Sequence, residues 1–337
     1  MIIKTVYFEI TNRCNLNCVT CYNRSGLNKE PMEISPEQLK TGIEILLQYG
    51  LDRVLISGGE PVLHSKFDKI LELLKEYPQY SFGFVTNGTV YSRKFIDELN
   101  KNENFDLQIS LDGSAEKLNT KTRGTGNFDK TMEFIRKIHK KQTPRLKMVV
   151  SQNNINDIED FYRLAVSVGF IPEITFITRR GNAEEGWDML SLTAKQKFDI
   201  LKRIDNLNHM YNKEAFLPLC TSGCPYSADE MNLSICVKPN GEIQPCSLLY
   251  EPEHSLGNIF NFKENYFFDR IAYISKLAIS RKSVDYNCGK CILGNNCQKG
   301  CIAAAYLFSG DVFANDGECD YRKMQLVGFD LKNLQKK

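Results

Sequence analysis

Three thiols stand within eight residues near the start of the chain: Cys14, Cys18 and Cys21, with Tyr22 directly after them. Thiolates are soft ligands that select iron–sulfur clusters. A four-iron cluster takes one ligand per iron, so a loop with three cysteines leaves one iron free to bind a substrate or a cofactor. A zinc loop would pair its C-x2–4-C unit with a matching fourth ligand, and none follows within roughly 40 residues.

The other nine of the twelve cysteines all lie at or beyond Cys220. In a reduced compartment this density points to metal or catalysis rather than disulfides. The gap between Cys21 and Cys220 separates two metal-bearing modules by a cysteine-free scaffold. In the second module, Asn240-Gly241 marks a hairpin that delivers Cys246 at G-x4-C spacing. Cys288, Cys291, Cys297 and Cys301 follow at C-x2-C-x5-C-x3-C spacing, and Cys319 comes after them. A zinc ribbon would use two C-x2-C pairs and leave several of these thiols unexplained.

Such groups need a scaffold that gathers strand ends. Ser35-Pro36-Glu37-Gln38 predicts a helix start: Ser35 caps, Pro36 suits the first position and Gln38 closes a capping box. Leu39, Ile43, Ile45, Leu46 and Leu47 give that helix an apolar face, and Gly50 stands where a terminating glycine belongs. Strand patterns fall at residues 2–10, 54–56, 82–85, 107–111, 146–150 and 174–177, with helical patterns at 67–74, 95–99, 128–139 and 158–168. Six strands joined by long crossovers predict an α/β fold with a parallel sheet. Periodicity leaves open whether that sheet is doubly wound or curved into a barrel. Either way, ligands belong at the carboxyl ends of the strands.

The unusual residues do fall there. The cysteine loop follows strand one, Ser57-Gly58-Gly59-Glu60-Pro61 follows strand two, Thr86-Asn87-Gly88-Thr89 follows strand three, and Ser110-Leu111-Asp112-Gly113 ends strand four. A further helix over 192–211 leads into the cysteine-rich part, and the boundary near residue 215 is read from the cysteines alone. From residues alone, Gly58-Gly59 is equally a turn, Arg123 a surface arginine beside a glycine loop, and Tyr22 core packing at the loop base.

The C-x3-C-x2-C-aromatic loop together with Gly58-Gly59-Glu60-Pro61 resembles the cluster loop and GGEP motif of the radical S-adenosylmethionine (SAM) enzymes. The resemblance implies a partial (β/α)6 TIM-type barrel. It implies that Cys14, Cys18 and Cys21 hold a 4Fe–4S cluster whose open iron SAM chelates. Gly58, Gly59 and Glu60 would meet the SAM amine, Ser110 and Asp112 the ribose and its neighbours, Arg123 the carboxylate, and Tyr22 would pack near the cluster and adenine. The implied reaction is reductive cleavage of SAM to methionine and a 5′-deoxyadenosyl radical, which abstracts hydrogen from the substrate.

The later cysteines resemble the SPASM extension of these enzymes, a C-terminal cysteine-rich domain that binds two auxiliary 4Fe–4S clusters. Carried over by position, one takes Cys288, Cys291, Cys297 and Cys319. The other takes Cys246 and Cys301 with two of Cys220, Cys224 and Cys236. Cys220 and Cys224 are preferred, since Cys236 occupies a strand position that normally carries no ligand. Cys236 is then either a small buried hydrophobe or a hydrogen-atom donor that quenches a substrate radical. The implied domains are 1–215 (core), 216–325 (SPASM) and 326–337 (tail).

SPASM-bearing enzymes of this family mostly modify peptides or proteins. The expected function is maturation of a ribosomally made peptide by thioether or carbon–carbon crosslinking, epimerisation or oxidation. Alternatives are a sulfatase-maturating type of enzyme and a radical SAM enzyme acting on a small molecule or sugar. Against the first, Ser247 follows Cys246 where that subfamily carries an aspartate. A non-enzymatic electron carrier would need a fully ligated first cluster. The expected partners are an electron donor such as flavodoxin or ferredoxin and the peptide itself. The chain opens straight into strand one, so a leader peptide would be read by the core or by a separate leader-binding protein.

A net charge of +2 over 337 residues carries no electrostatic footprint for nucleic acid or membrane. Apolar content of 42% and charged content of 25% are those of an ordinary globular protein. No apolar run approaches the roughly 20 residues of a membrane span, and no signal-peptide pattern opens the chain. The expectation is a cytoplasmic protein.

Overall fold

A computed structural model of the chain describes residues 2–27, 30–139, 143–213, 215, 223–284, 290–293, 297 and 299–328. The core alternates β1 (Ile2–Thr11), α1 (Pro36–Leu47), β2 (Arg53–Gly58), α2 (Phe67–Leu74), β3 (Ser81–Thr86), α3 (Arg93–Lys101) and β4 (Phe105–Ser110). It continues with α4 (Glu116–Arg123), α5 (Asn127–Ile135), β5 (Arg145–Val150), α6 (Ile158–Ser167), β6 (Ile171–Phe176), α7 (Trp187–Leu190) and α8 (Ala194–Tyr211). Ser35 and Gln38 form the expected capping box on α1, and Thr193 and Gln196 form a second one on α8. Such a cap is worth about 1 kcal/mol.

β1 to β6 lie side by side in chain order, all parallel. Alternate residues explain how the sheet is covered. Val54, Ile56, Phe82, Phe84, Leu107, Ile109, Leu146 and Met148 are buried in one core with Leu39, Ile43, Ile70, Leu74, Phe95 and Leu99 of the flanking helices. Their strand neighbours Tyr7, Leu55, Val85, Gln108, Lys147 and Thr175 all line one cavity of about 600 Å³. Six strands of one sheet can share a cavity only if the sheet curls around it. No ladder joins β6 back to β1 among the described residues, so the barrel stays open. This is the partial (β/α)6 barrel that the family resemblance implied.

The sheet does not end at the core. β7 (Asn232–Val237) pairs parallel with β1, setting Cys236 opposite Tyr7, and β8 (Glu242–Gln244) and β9 (Gly257–Asn258) follow antiparallel. The hairpin turns at Asn240-Gly241 as expected, with Gly241 at φ +83°. α9 (Glu264–Arg281), α10 (Ile302–Ser309) and α11 (Cys319–Gly328) complete the described fold. Among the described residues no helix is long and apolar enough to cross a membrane.

Two short core helices, α4 and α7, were not expected. The stretch 116–123 reads Glu-Lys-Leu-Asn-Thr-Lys-Thr-Arg, with a single apolar residue and no helical stripe, yet it forms α4. That helix places Arg123 at its last position rather than in a glycine loop.

Candidate active site

The cysteine loop leaves β1 and is held at the barrel mouth by backbone bonds from three neighbours. From the end of β2, Gly59 N–H donates to the Thr11 carbonyl at 2.8 Å and Glu60 N–H to that of Arg13 at 2.7 Å. From α4, the Thr122 carbonyl accepts from Val19 N–H at 2.9 Å. From the segment after β6, Asn182 N–H donates to the Cys21 carbonyl at 2.9 Å, and its side-chain Nδ2 to that of Cys18 at 2.8 Å.

The two glycines of the GGEP stretch are explained by this contact. A Cβ on Gly59 would lie 2.0 Å from the Arg13 carbonyl oxygen. Gly58 sits at φ +134°, and a Cβ there would lie 2.3 Å from the Thr11 oxygen. Backbone meets backbone, and any side chain would force the loop off its seat. Gly59→Ala should therefore cost about 1–3 kcal/mol, the price of overpacking, and lower the iron retained at the first site. Iron assay with far-UV circular dichroism checks this, and wild-type iron content would show that the loop has room to shift.

Cys14, Cys18 and Cys21 line the barrel cavity together with Tyr22, Gly58, Gly59, Ser110 and Arg123. Burial pushes the Cys14 thiol up to about 12 and the Cys18 thiol to about 11. Thiols so deprived of water lose their protons to a metal rather than to solvent. Leu16 N–H points at Cys14 Sγ, 3.5 Å away, the kind of donor that tunes a cluster thiolate. Three thiols in one loop, backed by backbone that tolerates no Cβ, fit a cluster with one open iron.

Asp112 and Glu60 are buried and do not line the cavity among the described residues; they brace the residues that do. Asp112 Oδ2 stands 2.9 Å from Arg123 Nε, with side chains 0% and 11% exposed. The contact is a buried ion pair. Asp112 Oδ1 accepts from Val149 N–H at 2.8 Å, while Asn119 and Asn154 hold its backbone. Arg123 is thereby fixed beside Cys18, where its charge partly offsets the effect of burial on that thiol. Glu60 accepts from the Thr86 hydroxyl at 2.7 Å and from Asn87 N–H at 2.8 Å. Burial lifts its carboxyl to about 6. It ties the end of β3 to the end of β2.

In the C-terminal part, Cys224, Cys246 and Cys301 are electrostatic neighbours of one another. Burial pushes Cys224 up to about 12 and Cys246 to about 11. Leu249 N–H donates to Cys246 Sγ at 3.3 Å, and Lys299 N–H to Cys297 Sγ at 3.4 Å. Cys291 and Cys319 both lie near Lys323. Cys220 and Cys288 fall outside the described residues. Among the described residues no three His, Cys, Asp or Glu side chains converge tightly enough for a single ion. A four-iron cluster takes one thiolate per iron and does not ask for that convergence.

Cys236 stands apart from these thiols. It is 3% exposed and opposite Tyr7. Burial and a hydrogen bond with the Glu9 carboxylate keep it protonated. Glu9 also accepts from the Tyr22 hydroxyl at 3.2 Å and from Asn23 Nδ2 at 2.7 Å.

Two sets of residues escaped the sequence reading. Gly181 and Asn182 latch the cysteine loop, and a Cβ on Gly181 would lie 2.3 Å from the Cys21 carbonyl oxygen. The strand-end rule extended to strand six would have found Arg180-Gly181-Asn182. The lower barrel carries ion pairs, Arg53–Asp106 at 2.9 Å and Lys147–Glu173 at 2.8 Å, whose residues line the cavity. Alternation along Arg145-Leu146-Lys147-Met148 already marks an inward polar face.

An open parallel barrel with a three-cysteine loop across its mouth defines an enzyme built to hold a cluster against a bound cofactor. Residues 8–165 match the model of the radical SAM superfamily, whose members use SAM and a 4Fe–4S cluster. Mycofactocin maturase MftC of Mycolicibacterium smegmatis is 27% identical over 325 residues, spanning 93% of this chain and 81% of that protein. The solved structure of native anSMEcpe with bound AdoMet matches with a TM-score of 0.76 at 18% identity, covering 99% of this chain and 100% of that one. Streptococcus suis SuiB bound to precursor peptide SuiA matches with a TM-score of 0.73 at 15% identity, covering 94% and 76%. At these identities the two structures speak for the fold.

Proposed function

We propose that this chain is a peptide maturase: a radical SAM core at 1–215, a SPASM domain at 216–325 holding two auxiliary 4Fe–4S clusters, and a tail at 326–337. The observation that carries this reading is that Ser247 and Leu248, the residues after Cys246, line the same cavity as Cys14, Cys18 and Cys21. A thiol of the second module thus lies at the edge of the space where substrate must sit. The relative from M. smegmatis, a maturase by name, supports the same reading.

When bound to the first cluster, SAM supplies a radical that abstracts hydrogen. The chain's own residues hold and orient it. Cys14, Cys18 and Cys21 would ligate the cluster, the Gly58–Gly59 backbone would meet the amine, Arg123 the carboxylate and Ser110 the ribose, and Tyr22 would pack near the cluster and adenine. Asp112 and Glu60 position Arg123 and the β3 end. Cys220, Cys224, Cys246 and Cys301 form one auxiliary set, and Cys288, Cys291, Cys297 and Cys319 the other. Cys236 keeps its proton, as a hydrogen-atom donor must, and sits behind the cavity wall at Tyr7. Ser247 offers a hydroxyl where the sulfatase-maturating type offers a carboxylate base, which weighs for a different peptide chemistry. Each SAM cleavage consumes one electron, hence a flavodoxin- or ferredoxin-like donor in the cytoplasm; a separate leader-binding protein completes the proposed partners.

The test is anaerobic incubation with SAM, a reductant and candidate peptides, read by mass spectrometry. Loss of two hydrogens means a crosslink or oxidation. One deuterium gained in heavy water without other change means epimerisation. Peptides that all stay unmodified while a small molecule is turned over would overturn the peptide reading.

A further inference from the structure

The lower half of the barrel cavity is lined by the cations Arg53, Arg145 and Lys147 and by the carboxylates Asp106 and Glu173. Arg53 of β2 reaches across β3 to Asp106 of β4 at 2.9 Å. Gly83 of β3 lies between them, and a Cβ there would stand 3.4 Å from Arg53 Nη2 and 2.3 Å from Leu55 Cδ2. Lys147 of β5 pairs at 2.8 Å with Glu173, its register neighbour on β6. Arg145 is left over: among the described residues no carboxylate pairs with it. It opens β5 and is exposed, yet it lines the cavity. Burial raises the Tyr7 phenol on β1, and Arg145 is near enough to work against that rise.

The register neighbour of Arg145 on β4 is Gln108, which also lines the cavity and has no side-chain hydrogen bond among the described residues. Neighbouring strands run about 4.8 Å apart, so a guanidinium and an amide offer N–H donors side by side on one wall. Ser110, proposed above for the ribose, lies two residues further along β4, about 7 Å nearer the cluster loop. Val85 flanks Gln108 on its other side, and Leu55 and Val149 keep the neighbouring wall apolar. The space therefore suits a ligand with an apolar body and an anionic end. A guanidinium fork grips a carboxylate with short, charge-assisted, directional bonds, and an amide supplies a further donor. We propose that Arg145 and Gln108 form a carboxylate subsite that selects an acidic residue, or the terminal carboxylate, of the substrate peptide and so sets which carbon is presented to SAM. This rests on the peptide-maturase reading above.

The experiment uses the full-length, anaerobically reconstituted protein loaded with SAM, and its variants Arg145→Gln, Arg145→Lys and Gln108→Glu. Each is equilibrated with a library of short randomised peptides, made once as free acids and once as amides, and the retained peptides are identified by mass spectrometry. The unsubstituted protein should enrich carboxylate-bearing peptides. That enrichment should fall about tenfold in Arg145→Gln and less in Arg145→Lys. Gln108→Glu, which gives Arg145 an anion of its own, should abolish the enrichment by an independent route. Preference for free acids over amides assigns the terminal carboxylate; preference for Asp and Glu in both libraries assigns the side chain. Peptides retained without carboxylate enrichment, or with the same enrichment in Arg145→Gln, overturn the subsite alone. Retention of no peptide by the unsubstituted protein would sink the peptide reading itself, and the subsite with it.

Discussion

Asp112→Ala should cost about 3–5 kcal/mol of folding stability and weaken SAM binding. Removing one partner of a buried ion pair strands the other, and that penalty exceeds the net worth of the pair. Arg123 keeps only 11% of its side chain exposed, so it cannot turn to water for relief. Val149 N–H loses its acceptor in the same stroke. Because Arg123 follows Thr122, whose carbonyl holds Val19, a displaced Arg123 also loosens the cysteine loop. Asp112→Asn keeps an acceptor for Val149 but not the charge, so it should fall between the two. Urea unfolding under anaerobic conditions reads the stability change as a shifted midpoint at unchanged slope. Calorimetric titration with SAM reads the binding. In a double-mutant cycle, Arg123→Ala should recover part of the Asp112→Ala cost, with a coupling of about 0.5–3 kcal/mol. Additive single effects would mean that the two side chains do not depend on each other.

What was legible in the sequence is what local spacing encodes. The three-thiol loop, the Asn240-Gly241 hairpin and the α1 capping box depend on residues a few positions apart, and each appears where it was read. The pairing of β7 with β1 depends on residues more than two hundred positions apart, and nothing local to either strand announces it. α4 escaped because its polar sequence buries only Asn119 and Thr122. Its stability comes from tertiary contacts such as the Glu116 bonds to Gly126 and Phe128. Glu60 shows a subtler gap. Its position beside two glycines marks it as important, but only the structure reveals that its oxygens are taken by Thr86 and Asn87. Type and spacing identify a reactive neighbourhood; which member touches ligand and which braces its neighbour is decided by packing.

The same distinction separates Asp316 from the cysteines around it. On the proposed two-cluster reading, Asp316→Ala should release the auxiliary iron while sparing the first cluster. The side chain is 1% exposed and paired with Arg322 at 2.6 Å. Its Oδ2 also accepts from Cys301 N–H at 3.2 Å and its Oδ1 from Glu318 N–H at 3.2 Å. Gly300, at φ +75°, has no room for a Cβ above this carboxylate. Arg322 Nη2 reaches Cys319 Sγ at 3.7 Å, so one carboxylate links a thiol from each of the two proposed ligand sets. Alanine leaves Arg322 buried without its anion, again about 3–5 kcal/mol, and frees the backbone on which Cys301 is mounted. Although burial pushes the Asp316 carboxyl up, Arg322 and the two N–H donors outweigh it and hold the group below its ordinary range. Because the folded-state value is depressed, this contribution is present above the ordinary carboxylate range and is lost as pH falls through the folded-state value. Asp316→Asn should flatten that acid limb of the stability curve. Iron per chain, with the SAM-induced spectral change as the mark of an intact first cluster, gives the decisive measurement. A variant that keeps all its iron would show that the ligands hold the clusters without this brace.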